Sequence, residues 1–575
     1  MEGIFLAKPK RHPRIPAACA GVQVNHCKNV HCANFGVVPP ETRGATGLAP
    51  DGVGAYTLSG SMERHRHLIC HLCGRSTTMR SNAAIIQELA RFDPLHSRME
   101  SACCQTVSCS SFGLSLLGSP EKYYLHGQTK AGAPRYRCRE CRTTFTVGAP
   151  IRTQRRPELN EKVLNLLVNK VPMRRICGIE RMNPATLYNK IAYLAEVASE
   201  ISARYEAKLS EHSIAPSRAY VSVDRQDYVL NWGTQLDRRN IMLGALGAVE
   251  NKSGYVLAMQ LNFDPTCNAE DIEADAIGRG DYDIPVPYRH YARLWLRQDY
   301  REIPKKPDEI AADAEAPEQP ADHLKLPHSG MQVHLEYTQY ALFLHLKQLL
   351  GNVERVRIFM DKDPGLDGAC IAAFVDEIRQ RRVEAFRVRS PKELTMANKK
   401  LVIAKLNREL ERFRGRHPEL TGHQLRHRYV RECILTWQAS ADSASSFRYP
   451  LADMAEPGKE IEHLTDFGDF DIDHLANLYM RVSLRGIDRF FMQVRRRLSI
   501  LERPIATANN ARRTWHGYAA YSPLVAERIL RIFRTYYNFA LIGEDGATPA
   551  MRLGLTDHPL PLADLATFPR TSPLQ

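Results

Sequence analysis

The sequence predicts a multidomain α/β protein, with small metal-held modules first, then a helical unit, then a mixed α/β core. Three observations predict it. A cysteine decapeptide occurs twice near the N-terminus. A helical stretch with an Asn-Pro start follows it. Beyond residue 215, strand-like runs ending in aspartate alternate with helical patterns. The 575 residues allow about three or four domains. A net charge of +14 points to a polyanionic partner, nucleic acid first, with plain solubility as the bland reading. The basic N-terminal tail 1–20 lacks a signal-peptide pattern, and no apolar run approaches the ~20 residues of a membrane helix. The expectation is a cytoplasmic, nucleoid-associated protein with no membrane partner.

The modules come first. "CKNVHCANFG" begins at Cys27 and "CQTVSCSSFG" at Cys104, each reading Cys-x4-Cys-x2-Phe-Gly. Each is followed by a Cys-x2-Cys pair, in "CHLCG" and "CREC". Nine of the fourteen cysteines lie between Cys27 and Cys141, and in a cytosolic chain such clustering favours metal over disulfides. Two four-thiolate sets result: Cys27, Cys32, Cys70, Cys73 and Cys104, Cys109, Cys138, Cys141. Four soft ligands on two short loops suit tetrahedral zinc, and the metal supplies folding energy that a small core lacks. Two structural zinc ions are expected, in zinc ribbons over 21–82 and 98–150. Cys103 adjoins Cys104 and competes for its role, and scattered structural cysteines are the bland alternative. "YRCRECRTTFTVG" reads as strand, turn, strand. "PPETRGATGLAPDGVGAYTLSGS" reads as a loop inserted into the first copy.

The segment 155–205 follows a basic linker, "IRTQRRPELN". Val163, Leu166 and Leu167 recur at helical spacing. Pro172 can begin a second helix that Cys177-Gly178 can end, and Asn183 caps a third with Pro184 at its first position. The pattern is that of a helix-turn-helix, and a plain three-helix connector is the alternative. Thr186, Tyr188, Asn189 and Lys190 are expected to face outward, toward double-stranded DNA.

The region 215–505 carries the core. "AYVSVDRQDYVLNW" and "NIMLGALGAVENKSGYVLAMQLNF" read as three strands. A helix over "YTQYALFLHLKQLLGN", the strand "VERVRIFMDKD", a helix from about Gly368 and the strand "VEAFRVRS" follow. That order is the plan of a ribonuclease H-like sheet, whose first and fourth strands are neighbours. Asp224 and Asp361 then converge, and hard carboxylate ligands suit magnesium or manganese. A strand-end Asp that merely caps a turn is the alternative, and Asp363 is a substitute for Asp361. Insertions are expected near 265–335, including the acidic, Pro-rich "IPKKPDEIAADAEAPEQPADH", and near 391–479, where two long basic helices are read. The tail 506–575 ends the chain in a further helix.

The twin cysteine motifs, the helix-turn-helix, "VSVD" and "IFMDKD" stand in an order that resembles bacterial insertion-sequence transposases of the DDE class. "GIDRFFMQVRRRLSIL" resembles the helix carrying that family's third acid, and "ILRIFRTYYNFALIGEDGATPAMRLGLTDHP" resembles its closing helix and T-P-A segment. The resemblance covers most of the chain. It implies a DNA transposase that binds element ends and catalyses metal-dependent phosphodiester cleavage and strand transfer, as a homo-oligomer on DNA. It places the third catalytic and metal-binding acid at Asp488, where the family usually has Glu; Glu502 and Asp473 are the alternatives. Arg495, Arg496 and Arg497, with "RRTWHGY", are expected along the DNA backbone. The rival readings are a catalytically inactive DNA-binding or regulatory protein derived from a transposase, and a metal-dependent nuclease without strand transfer.

Overall fold

The computed structural model describes residues 13–40, 52–60, 66–92, 102–106, 108–116, 118–129, 133–147, 154–210, 216–231, 240–301, 330–363, 365–391, 394–440, 446–502, 505–506, 514–515 and 521–568. Residues 1–12, 41–51, 151–153, the acidic, Pro-rich segment and most of "RRTWHGY" lie outside them.

Two four-cysteine modules of the same design open the chain. In the first, β1 (Tyr56–Ser59), β2 (His67–Cys70) and β3 (Ser76–Thr78) form an antiparallel sheet. The end of the supposed inserted loop, "YTLS", is thus a strand, because the Tyr56 ring is buried in the module. α1 (Asn82–Leu89) follows, capped by the Ser81 side chain. In the second module, β4 (Tyr123–Gln128), β5 (Pro134–Cys138) and β6 (Thr144–Thr146) repeat the sheet order.

Three helices come next: α2 (Leu159–Val168), α3 (Met173–Ile179) and α4 (Pro184–Glu206). The Asn183 side chain accepts from the Thr186 N–H at 2.7 Å, and Pro184 stands at the first position, as the sequence predicts. Cys177 and Gly178 do not end α3. They lie inside its last turn, and the chain reverses at Arg181, whose φ is 47°. The second half of α4 runs into the core, where the Ser202 and Thr535 hydroxyls meet at 2.9 Å.

The core is a seven-stranded mixed sheet. β7 (Arg218–Asn231), β8 (Asn240–Glu250) and β9 (Val256–Leu261) form an antiparallel meander. The short pair β10 (Phe263–Asp264) and β11 (Met331–Gln332) brackets the first insertion, which includes α5 (Ala269–Arg279). Then come α6 (Leu335–Leu349), β12 (Arg355–Asp361), α7 (Leu366–Ala373), α8 (Val375–Arg379) and β13 (Val383–Arg389). α9 (Met396–Arg416) and α10 (Gly422–Ala439) are the two basic helices read from the sequence. The rest of 391–479 is not a helical appendage, because β14 (Phe447–Arg448) and β15 (Glu460–His463) extend the sheet beyond β13. α11 (Ile472–Tyr479), α12 (Arg485–Arg497) and α13 (Pro523–Phe539) complete the core.

The strand order is β14-β15-β13-β12-β7-β8-β9, with β12 parallel to both β7 and β13. The first and fourth core strands are therefore neighbours. α6 lies on one face; on the other α12 covers β7 and β8, and α13 covers β9, where Asn538 and Arg534 bond the Val256 backbone, so all six residues of β9 are buried. No helix among the described residues is long and apolar enough to cross a membrane.

Candidate acidic site and cysteine centres

β7 and β12 set the acidic site. Their parallel register pairs Met360 with Val223, so Asp361, the last residue of β12, stands beside Asp224. Asp224 is mid-strand rather than at a strand end: β7 continues to Asn231, and Asp224 itself pairs with Gly247 of β8. Asp361 is 6% exposed and Asp224 half-buried.

The face they occupy follows from the pleat. The Ile487 N–H at the start of α12 donates to Ser222 Oγ at 3.0 Å, and Asp224 lies two residues on, so both side chains share the α12 face. α12 lies close on the sheet. A Cβ at Gly247 would sit 2.6 Å from Ile487 Cδ1, so any larger residue opposite Asp224 would have to displace the Ile487 side chain. Ile487, Phe491 and Val494 are buried, while Phe490 packs against Tyr537 of α13 at 5.1 Å between ring centroids. Asp488 follows Ile487 around the helix by ~100°, on the flank away from Phe490 and α13. It is exposed, on the border of a cleft of about 930 Å³ that Lys252, Arg489 and Arg552 also line.

The three carboxylates share one face of the sheet without closing on one another. Among the described residues, the only groups of three or more His, Cys, Asp or Glu whose ligand atoms all lie within 4.8 Å are the two cysteine sets. The alternative acids are committed elsewhere. Asp363 pairs with Arg225 at 3.0 Å and accepts from Gln339, and burial pushes its carboxyl up with Arg225 acting against the shift. Glu502 pairs with Lys170 at 2.6 Å and Asp473 with Arg431 at 3.1 Å.

A clamp that sequence reasoning missed holds the start of α12. The buried pair Glu456–Lys459 (2.7 Å) grips the preceding turn. Glu456 accepts from the Leu484 N–H and the Ser483 hydroxyl, and Lys459 donates to the Val482 carbonyl. The only signal in the sequence is two charges three apart in an otherwise loop-like run, which surface residues give just as well.

The expected DNA-facing residues divide. Asn189 is exposed and Thr186 half-buried. The Tyr188 hydroxyl is bonded to Tyr521 Oη at 2.5 Å. Lys190 does not face outward: it is 1% exposed, and its ammonium donates to the Arg155 and Arg156 carbonyls and to Asn160 Oδ1 at 2.7–3.1 Å. Burial lowers its pKa. Its place three residues after Leu187 and one before Ile191 puts it on the apolar face of α4. Arg496 is exposed, Arg495 half-buried, and Arg497 donates to Asn169 Oδ1 at 3.1 Å.

The cysteine centres match their predicted membership, and Cys103 stays outside. In the first, Sγ–Sγ distances are 3.6 Å (Cys27–Cys73) and 3.7 Å (Cys32–Cys70). In the second they are 3.4 Å (Cys104–Cys141) and 3.8 Å (Cys109–Cys138). A tetrahedron with Zn–S near 2.3 Å has S–S edges of about 3.8 Å, whereas a disulfide bond is near 2.05 Å. Each set could therefore hold one metal ion, consistent with structural zinc. Both centres share a part that the sequence reading did not single out. Tyr56 and Tyr123 accept from the Cys27 and Cys104 N–H groups at 3.1 and 3.2 Å and donate to the Val37 and Leu114 carbonyls.

The chain matches no family model, no curated protein and no solved structure.

Proposed function

We propose that this chain is a DNA transposase of the DDE class, with a ribonuclease H-like core, tandem zinc ribbons and a helix-turn-helix. The observation that carries the reading is the pairing of β12 with β7, which sets Asp361 beside Asp224 on the sheet face that α12 covers. Strands and helices in this order, with an acid in the first turn of the covering helix, agree with the resemblance in the sequence.

The donor set fits a hard divalent cation in kind. Asp224, Asp361 and Asp488 offer only carboxylate oxygens, from one face of one sheet. Magnesium or manganese held there would supply Lewis-acid stabilisation of the phosphodiester and of the leaving oxygen. The chain's own residues do the rest. Ser222 and the Glu456–Lys459 pair fix the start of α12, and with it the level of Asp488 relative to Asp224. The buried position of Asp361 limits its rotamers, so the carboxylate needs little reordering on binding. End recognition belongs to the exposed first turns of α4 and the second four-cysteine module, and the Lys190 contacts shape the linker rather than reach bases.

The test is a panel of full-length variants on DNA carrying the element's ends. Asp224→Asn, Asp361→Asn and Asp488→Asn should each abolish cleavage and strand transfer while end binding persists. Asp488→Glu should lower activity if the site is built around the shorter side chain. Activity that rises in Asp488→Glu would mark a decayed site. That outcome would favour the second reading, an inactive transposase-derived DNA-binding protein, which the open spacing of the three carboxylates also supports.

A further inference from the structure

Four basic residues, one inside the second four-cysteine module and three between it and α4, hold left-handed backbone: Arg142 (φ 60°), Arg156 (φ 53°), Lys170 (φ 67°) and Arg181 (φ 47°). All four side chains are exposed. Left-handed φ costs an L-residue with a Cβ, and turns that need it ordinarily use Gly or Asn. The molecule contains its own control. Arg142 follows Cys141 and its N–H bonds the Cys138 carbonyl at 3.1 Å; in the first module Gly74 follows Cys73 and bonds the Cys70 carbonyl at 2.9 Å, with φ 68°. The same turn in the same conformation takes glycine in one copy and arginine in the other.

Among the described residues, folding contacts do not explain the arginines. Neither Arg142 nor Arg181 forms an ion pair with a described residue, and Arg156 meets Glu158 only at 3.5 Å on the open surface, where such a pair contributes little. Arg381, the corresponding case in the core (φ 61°), is different: it pairs with Asp469 and lies over the Phe467 ring. Lys170 is likewise engaged, by Glu502. At Arg156 the structure adds a support: buried Lys190 ties down the carbonyls of both Arg155 and Arg156 while their guanidinium groups stay in solvent. A turn that keeps a strained cation and spends a buried lysine on holding it is organised for what the cation touches.

We infer that Arg142, Arg156 and Arg181 are contacts to the phosphate backbone of duplex DNA, retained at positions where glycine would be more stable. The inference rests on DNA being the partner, and it adds three residues outside the expected base-facing set. The second module, which carries Arg142, packs on Ala203, about 26 Å along α4 from Thr186, a span shorter than the ~34 Å of one DNA helical turn. The guanidinium fork fits phosphate oxygens, and contacts of this kind carry affinity without sequence preference.

The experiment uses the full chain, a fluorescently labelled random-sequence duplex, anisotropy titrations across a salt series, and thermal melts. Arg142→Gly, Arg156→Gly and Arg181→Gly should each keep or raise the melting temperature. Each should also weaken binding and reduce the slope of log affinity against log salt by about 0.9. Asn at each position, which tolerates the same backbone, should behave like Gly, and Lys should retain binding. Opposite movement of stability and affinity is the signature, since a structural role would lower both. Unchanged affinity and slope in the Gly variants, or a falling melting temperature, would overturn the inference, as would a wild type that binds no duplex at ~50 mM salt. None of these readouts depends on cleavage, so an inactive catalytic site would leave a positive result standing.

Discussion

The two four-cysteine modules share a decapeptide, a sheet order, four thiolates and a tyrosine tie, yet they sit in the molecule in opposite ways. Phe35 in the first is 4% exposed; its counterpart Phe112 in the second is 49% exposed. A Cβ at Gly36 would lie 2.3 Å from Val375 of α8, and Arg379 stacks over Phe35, whereas a Cβ at Gly113 would meet nothing within 4 Å. The first module is further fastened by α1. Its Glu88, fully buried, pairs with Arg293 at 3.1 Å and accepts from Thr338, and Arg293 pairs with Asp264 at 2.5 Å. Each module has a small core around its cysteines, but Val24, Val30, Phe35 and Ile85 of the first also belong to the main hydrophobic core, while the second reaches beyond itself only to Ala203 among the described residues. One copy of a duplicated fold has become part of the frame. The other keeps an open, arginine-bearing surface. A metal ion held in the first would bear on the stability of the whole, and one held in the second on a surface.

The largest expected contrast is in the metal ligands. Cys70→Ser and Cys138→Ser should each reduce the bound zinc from two ions to one. Zinc contributes roughly 10 kcal/mol or more to small modules of this kind. Cys70→Ser should therefore lower the global unfolding midpoint in urea, and Cys138→Ser should leave that midpoint near wild type while weakening DNA binding. Equal shifts would show that the docking difference has no energetic weight.

Next comes the buried network. Glu88→Ala leaves Arg293 short of a partner in a buried site and should cost about 3–5 kcal/mol by chemical denaturation. Phe35→Ala should cost about 3–4 kcal/mol, and Phe112→Ala about 0.5 kcal/mol or less.

The smallest effect is with acid. Burial opposes ionisation of Asp264, but Arg91 and Arg293 outweigh it and hold its carboxyl well below the usual carboxylate range. A depressed carboxylate stabilises the fold above its unfolded pKa, near 3.8. That contribution is lost as pH falls below about 4. Denaturation midpoints between pH 5 and ~2.5 should drop more steeply in wild type than in Asp264→Asn. Parallel profiles would mean the docking network is not electrostatic.

Much of this was legible in the sequence, and what was not has physical reasons. The thiolate sets were readable because spacing alone brings Cys-x4-Cys and Cys-x2-Cys loops together. The Asn183 cap and the β7–β12 neighbourhood were readable because caps and strand order are local or topological. The docking of the first module was not. It depends on Glu88 meeting Arg293 across some two hundred residues, and nothing near Glu88 marks it as buried. Lys190 reads as outward-facing with Thr186, Tyr188 and Asn189 on a recognition helix, although its spacing from Leu187 and Ile191 matches the buried stripe. The strands β14 and β15 are two and four residues long, too short to stand out between two long helices. Asp224, Asp361 and Asp488 are legible in the sequence as candidate acids; the distance of Asp488 from the other two is not, because it depends on how α12 is seated over Ser222 and Gly247 and on the Glu456–Lys459 clamp.

Under the proposed function Asp361, set beside Asp224 by the parallel pairing of β12 and β7, is a catalytic acid. Single-turnover cleavage of end-bearing DNA with magnesium or manganese, in wild type and Asp361→Asn at matched zinc content and matched DNA binding, tests it most directly. Wild type should cut in a metal-dependent way, with a loss of at least about 100-fold in the variant. Cutting by Asp361→Asn at the wild-type rate would contradict it.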